Sequence, residues 1–269
     1  MSSYLILPQY EDIVHAWQKQ SITNAAELEA ALNGYIIAFA YHSGKIENAA
    51  ITYNDTREIF EHDRVSAYTG SLRTLFEIRN AKDASDFILH AFEQERPLDI
   101  PFLQDLQYQL TKNTYDARRY SIGERPGTFK QNDYVTGKEE VGAPPEDVRA
   151  ELEELLADIH AAALKTVPHV LTGAAFFHAK FENIHPFADG NGRTGRLAMN
   201  YLLLQHHFPP LVFHEEDRNA YYDALAAWDK KQELAPLKDF IQRQTIKTWQ
   251  KGAPSEDAQS KSLRDFLSE

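Results

Sequence analysis

The stretch His185-Pro186-Phe187-Ala188-Asp189-Gly190-Asn191-Gly192-Arg193-Thr194-Gly195-Arg196 concentrates groups that can do chemistry. His185 is its one side chain that titrates near neutrality, which makes it the candidate general base. Asp189 suits Mg²⁺, an ion that takes one or two carboxylates and fills its remaining positions with phosphate oxygens and water. Gly190 and Gly192 flank Asn191 and let the backbone turn tightly and come close to a ligand. Arg193 and Arg196 are three apart, so they share a helix face and can make bidentate contacts to phosphate oxygens. The chemistry this predicts is the holding of a polyphosphate and the removal of a proton beside it.

Such a loop must open a helix, and residues 197–204 supply the apolar pattern for one. The first N–H groups of a helix have no internal partner and lie at the positive end of its dipole, so the start of that helix is an anion site. Further helical patterns cover residues 25–41, capped by Thr23 or Asn24, and residues 64–79, 84–95, 101–111, 146–166, 169–183, 193–207, 217–227 and 234–249. Residues 127–137 depart from them: β-branched and aromatic residues surround an Asn132-Asp133 turn, which predicts a short β-hairpin. Two strands alone are marginal in water. The hairpin is therefore either a connector or an edge that accepts an extended peptide.

With 269 residues the chain can bury one large core, with or without a flanking helical subdomain. Its 28 basic against 40 acidic residues give a net charge of −12, which excludes broad binding of nucleic acid. The lack of cysteine excludes disulfides, thiolate metal sites and a Cys nucleophile. No G-x-x-x-x-G-K-[ST] segment is present, so a Walker-type ATP site is excluded. No apolar run reaches membrane-spanning length. The first residues lack a basic segment, and Glu11 and Asp12 follow too soon for a secretory leader, so a cytoplasmic protein is expected. The polar tail, residues 251–269, is expected outside the core.

The central stretch resembles the Fic family signature, His-Pro-Phe-x-Asp/Asn-Gly-Asn-Gly-Arg-x-x-Arg, at every specified position. Phe176-Phe177-His178 and Phe181-Glu182-Asn183-Ile184 resemble the helix that leads into it, and Arg218 to Leu225 the segment that follows. The resemblance implies an all-α Fic fold, a helical bundle with a small β-hairpin flap. It implies an ATP·Mg²⁺-dependent enzyme that transfers AMP to a Tyr, Ser or Thr hydroxyl of a target protein, itself included. Under it His185 is the base, Asp189 holds Mg²⁺, and Gly190, Asn191 and Gly192 form the anion hole. Arg193 contacts the β-phosphate region, Arg196 the γ-phosphate, and Phe187 anchors the loop in the core. Tyr221 or Tyr222 approaches the adenine, and Thr128, Phe129, Lys130, Tyr134 and Val135 form the target-docking flap. Doc-type relatives carry Lys where this chain has Gly192 and transfer phosphate, so Gly192 favours AMP transfer.

Ser43-Gly44-Lys45-Ile46-Glu47-Asn48 resembles the family's N-terminal inhibitory motif, Ser/Thr-x-x-x-Glu-Gly/Asn. Ser43 and Glu47 are four apart and share a helix side. The resemblance implies that Glu47 pairs with Arg196 where the γ-phosphate must go. The implied division is residues 1–98 as a helical region with the inhibitory motif, 99–237 as the Fic core, and 238–269 as a C-terminal helix and tail. Three other readings remain: a de-AMPylase using the same site, a nucleotide-sensing module, and a metal-dependent phosphohydrolase built on His185, Asp189 and His178.

Overall fold

The computed structural model describes residues 5–66, 68–136 and 140–250. The chain is helical almost throughout: α1 (Pro8–Gln18), α2 (Ala25–Ala31), α3 (Tyr35–Glu47), α4 (Tyr53–His62), α5 (Leu72–Glu93), α6 (Ile100–Thr111) and α7 (Ala117–Ser121) precede a two-residue β-ladder. After it come α8 (Val148–Ala161), α9 (Val167–Ile184), α10 (Asn191–Gln205), α11 (Arg218–Lys231) and α12 (Ala235–Gln250). Side chains cap several of these starts. Asn24, Thr52, Ser71, Asp99, Asp116 and Thr166 each accept the N–H three residues on, relieving one unpaired donor of the first turn.

The expected all-α class holds, with local departures. The pattern over residues 25–41 is two helices, because Gly34 adopts φ +77° and turns the chain between α2 and α3. Conversely, residues 64–79 and 84–95 fall largely in one continuous helix, α5. The helices α1 and α4 carry no expectation from the sequence.

The hairpin expectation needs correction. Residues 127–134 form no strand, and Asn132-Asp133 is not its turn. Instead Asn132 Nδ2 donates to Glu124 Oε1 at 2.8 Å, Tyr134 Oη donates to the same atom at 3.0 Å, and the segment folds onto α7's C-terminal side. The one ladder among the described residues is β1 (Val135–Thr136) against β2 (Glu140–Val141), pairing Val135 with Val141 and Thr136 with Glu140. Two pairs do not make the flap expected over residues 127–137, and the chain joining the two strands lies outside the described residues.

Helix α10 is the axis of the bundle. Every residue from Arg193 to Leu204 is buried, although the helix opens with polar and charged side chains. A helix buried on all sides needs neighbours all round; α9, α6, α3 and α5 supply them. One apolar cluster runs from Tyr10 in α1 through Phe102, Phe177 and Tyr201 to Ile241 in α12, joining all three segments read from the sequence. No described helix is long and apolar enough to cross a membrane. The polar tail, residues 251–269, lies outside the described residues.

Candidate active site

The reactive stretch is the connection between α9 and α10, and two left-handed residues shape it. His185 ends α9 with φ 51° and ψ 62°, its N–H bonded to the Phe181 carbonyl at 3.0 Å. Gly190 opens α10 with φ 82°, where a Cβ would lie 2.6 Å from Thr111 Cγ2, so the position needs glycine twice over. Between them Asn191 clasps the Phe187 backbone: its Nδ2 donates to the Phe187 carbonyl at 2.7 Å and its Oδ1 accepts the Phe187 N–H at 2.9 Å. Phe187 is fully buried against Phe129 and Phe181, the anchor role expected of it. Asn191 therefore shapes the loop through its side chain and offers an anion only its backbone N–H.

Asp189 lies within reach of three guanidinium groups. Arg73 Nη2 of α5 is at 2.6 Å, Arg193 Nη2 at 3.3 Å and Arg119 Nη2 of α7 at 3.4 Å. Its carbonyl accepts from Gln107 Nε2 at 2.8 Å, which ties the loop to α6. Arg73, Arg119 and Gln107 carry no signal in the sequence. They lie far along the chain from Asp189, and only the packing of α5, α6 and α7 against the loop brings them there. No described group of three His, Cys, Asp or Glu side chains could hold a metal ion. The phosphohydrolase reading thereby loses the His185–Asp189–His178 centre it required.

Arg196 points the other way, into α3. Its Nε donates to Ser43 Oγ at 3.0 Å, and its Nη2 donates to the Ser43 carbonyl at 2.9 Å and to Glu47 Oε1 at 2.8 Å. Arg196 is 1 % exposed, whereas the Glu47 side chain is 35 % exposed. The carboxylate lies against Gly192, where a Cβ would collide with Glu47 Oε1, and so covers the first turn of α10. A carboxylate there gains from the unpaired N–H groups and from the helix dipole. Burial opposes the Arg196 charge, and Glu47, Tyr221 and Glu182 outweigh it, so the guanidinium is held above its ordinary range.

Behind Arg196 lies a buried polar layer. His178 Nε2 is 2.8 Å from Tyr221 Oη, Arg196 stands over the Tyr221 ring at 5.8 Å, and His178 Nδ1 is 4.0 Å from Glu182 Oε1. Burial, then the Arg196 charge, pushes His178 down to about 3, and burial pushes Glu182 up to about 8. His185 is driven down to about 4 by burial first and by Lys130 second, so it is neutral near pH 7. A neutral imidazole is the form that accepts a proton.

Other expected positions divide. Tyr221 is buried against His178, while Tyr222 is 39 % exposed with Arg218 over its ring at 5.3 Å, so only Tyr222 presents a face at the surface. Thr128 is exposed, Phe129 and Tyr134 are half-buried, and Lys130 is 1 % exposed. Lys130 thus presents no side chain to a partner.

Residues 97–203 match the family model described as Fic/DOC family. The chain is 30% identical over 227 residues to a Drosophila erecta protein named Protein adenylyltransferase Fic, covering 84% of this chain and 43% of that protein. It is 31% identical to a relative of the same name from Drosophila yakuba, covering 77% and 40%. The chain thus spans less than half the length of these curated relatives. A Fic domain containing signaling protein from Bacteroides thetaiotaomicron superposes with a TM-score of 0.73 at 24% identity, over 89% of this chain and 93% of the other. Residues 134–508 of Fic-1 from C. elegans give a TM-score of 0.69 at 22% identity, over 88% and 70%. The shared bundle agrees in fold, and the matched residues 97–203 with the relatives' 30–31% identity over most of the chain show the family: the chain belongs to the Fic/DOC family.

Proposed function

We propose that the chain is a protein adenylyltransferase held in a restrained state. A protein hydroxyl attacks the α-phosphorus of ATP, forming the O–P bond of an AMP ester while the bond from that phosphorus to the α,β-bridging oxygen breaks and pyrophosphate leaves. His185, neutral near pH 7, removes the hydroxyl proton. The backbone N–H groups at the start of α10 and the Arg193 guanidinium hold the phosphates, where transfer needs mainly positioning and charge neutralisation. Asp189 is one carboxylate facing this site, too few ligands for an all-protein cage and suited to an ion that arrives on phosphates. Mg²⁺ bound there would neutralise charge on the leaving pyrophosphate. Arg73 would then have to yield Asp189.

The carrying observation is the Glu47 carboxylate against Gly192 and on Arg196, the place a terminal phosphate would take. With Glu47 there, ATP meets a like charge at the α10 N-terminus and loses its Arg196 partner. The test is incubation with Mg²⁺ and ATP labelled on the α- or the γ-phosphate, with and without cell lysate. Protein-bound α-label, without γ-label, is expected in Glu47→Gly, weakly in wild type, and not in Glu47→Gly/His185→Ala. Equal labelling of wild type and Glu47→Gly would sink the restraint. No label in any sample, with ATP binding intact, would favour AMP removal from a modified protein or nucleotide sensing. The target is a protein hydroxyl that reaches the site, with this chain's own hydroxyls among the candidates.

A further inference from the structure

The segment that precedes α8 grips the backbone carrying His185 from two sides. The Lys130 N–H donates to the Pro186 carbonyl at 2.9 Å, and the Ala143 N–H donates to the Ile184 carbonyl at 3.0 Å. Between them Gly142 is so close that a Cβ there would lie 2.7 Å from His185 Cβ and 2.9 Å from Lys130 Nζ. The ammonium, the glycine and the root of the His185 side chain therefore share one contact shell.

Lys130 is an unusual choice for that place. It is 1 % exposed, and among the described residues its ammonium has one hydrogen bond, to the Ile184 carbonyl at 3.5 Å, and no ion pair. Burying a cation without a close counter-charge costs free energy that an apolar side chain of the same length would not. Packing alone therefore gives no reason for a lysine.

We propose that Lys130 is a positioning residue for His185: its backbone N–H and ammonium pin the left-handed turn at Ile184–Pro186, and its charge disfavours protonation of the neighbouring imidazole. The charges acting on His185 are the cation Lys130 and the carboxylates Glu47 and Asp189, with the Glu182 backbone also bonded to the ring. The two carboxylates favour the imidazolium, and Lys130 is the cation that opposes them. Burial is the larger cause and Lys130 adds to it, and the two together bring His185 to about 4. The base thus stays neutral beside two anions.

The consequence for catalysis rests on the AMP-transfer reading, but the His185 titration does not, so the two can fail separately. The test is an NMR titration of the His185 ring in the full chain, assigned with His185→Gln, for wild type, Lys130→Met, Lys130→Gln and Lys130→Arg. Removing the charge in Lys130→Met or Lys130→Gln is expected to raise the midpoint by roughly one pH unit, and Lys130→Arg to keep it near wild type. In the Glu47→Gly background the acidic limb of AMP transfer should move by the same amount, with activity recovered towards pH 8. A midpoint that is the same in Lys130→Gln and Lys130→Arg would overturn the proposal, whether or not Lys130→Met folds. So would a loss of activity that is uniform with pH.

Discussion

Arg196 shows why the proposed inhibitory contact is held by more than one bond. A guanidinium at 1 % exposure needs partners for its donors: Ser43 meets two of them, through its hydroxyl at 3.0 Å and its carbonyl at 2.9 Å, Glu47 adds its charge at 2.8 Å, and Nη1 has no partner among the described residues. Removing one partner of a buried donor leaves its desolvation uncompensated, at about 1–3 kcal/mol. Ser43→Ala should therefore destabilise the nucleotide-free chain by roughly that amount in urea unfolding. It should also raise AMP transfer to a level between wild type and Glu47→Gly, because the carbonyl and Glu47 still hold Arg196. Unfolding unchanged within about 0.5 kcal/mol would show that water replaces the hydroxyl and that Ser43 does not position Arg196. The neighbouring Arg73 makes a different case. With its side chain 44% exposed, its pair with Asp189 contributes little to stability, and Arg73→Ala should act on ligand affinity instead. Freed of that guanidinium, Asp189 should bind Mg²⁺ carried on a nucleotide more tightly, which calorimetry with a non-hydrolysable ATP analogue can measure.

The α9–α10 pair is the element that carries the proposed chemistry, and the two helices pack tightly at Gly195. A Cβ there would lie 2.8 Å from Phe181 Cδ1 and would collide with Glu182 Oε1, both on α9. Gly195→Ala gains helix propensity but must push apart a pair of packed helices, and overpacking of this kind costs about 1–3 kcal/mol. The net expectation is lower stability by denaturant unfolding, with the loop between the helices displaced and Phe187 less well anchored. A more stable Gly195→Ala would mean that α9 yields at no cost. These helices are also the most legible segment of the sequence, because apolar periodicity lies on both sides of Pro186 and Gly190, which interrupt it. The Glu47–Arg196 pair, 149 residues apart, is legible only through the resemblance of its motifs to a family's. The hairpin expectation fails for a physical reason. Phe129 and Tyr134 suggest a strand, but they turn inwards to Phe187 and Glu124 and do not alternate across a sheet. Lys130 counts as a docking residue only through the resemblance; a lysine in a polar segment is usually solvated, and packing buries this one. The guanidiniums around Asp189 leave no local trace, since tertiary packing alone assembles them.

At the scale of the whole molecule, three buried groups set opposing pH dependences. His178 and His185 are driven by burial from 6.5 to about 3 and about 4, so the folded chain binds fewer protons there than the unfolded chain in acid. Stability from both is therefore present above about 6.5 and lost as pH falls towards 4. Glu182 runs the other way: burial raises it from 4.5 to about 8, so the folded chain holds a proton that the unfolded chain has released. Its contribution is full below 4.5 and is lost as pH rises through 8. Between 4.5 and 6.5 two histidines outweigh one carboxyl, and stability rises. Above 6.5 only Glu182 of the three still acts, and stability should fall by up to roughly 1.4 kcal/mol per pH unit. Urea unfolding across the pH range should thus show a maximum near 6.5, and Glu182→Gln should flatten the alkaline side and steepen the rise on the acid side, where the carboxyl no longer opposes the histidines. A wild-type curve already flat from 6.5 to 8 would mean that Glu182 is ionised in the folded chain. That outcome would matter beyond stability, because an ionised Glu182 would compete with Glu47 for Arg196 from within the core. A neutral Glu182 leaves Glu47 as the one full negative charge on that guanidinium, and so makes the proposed restraint depend on a single carboxylate.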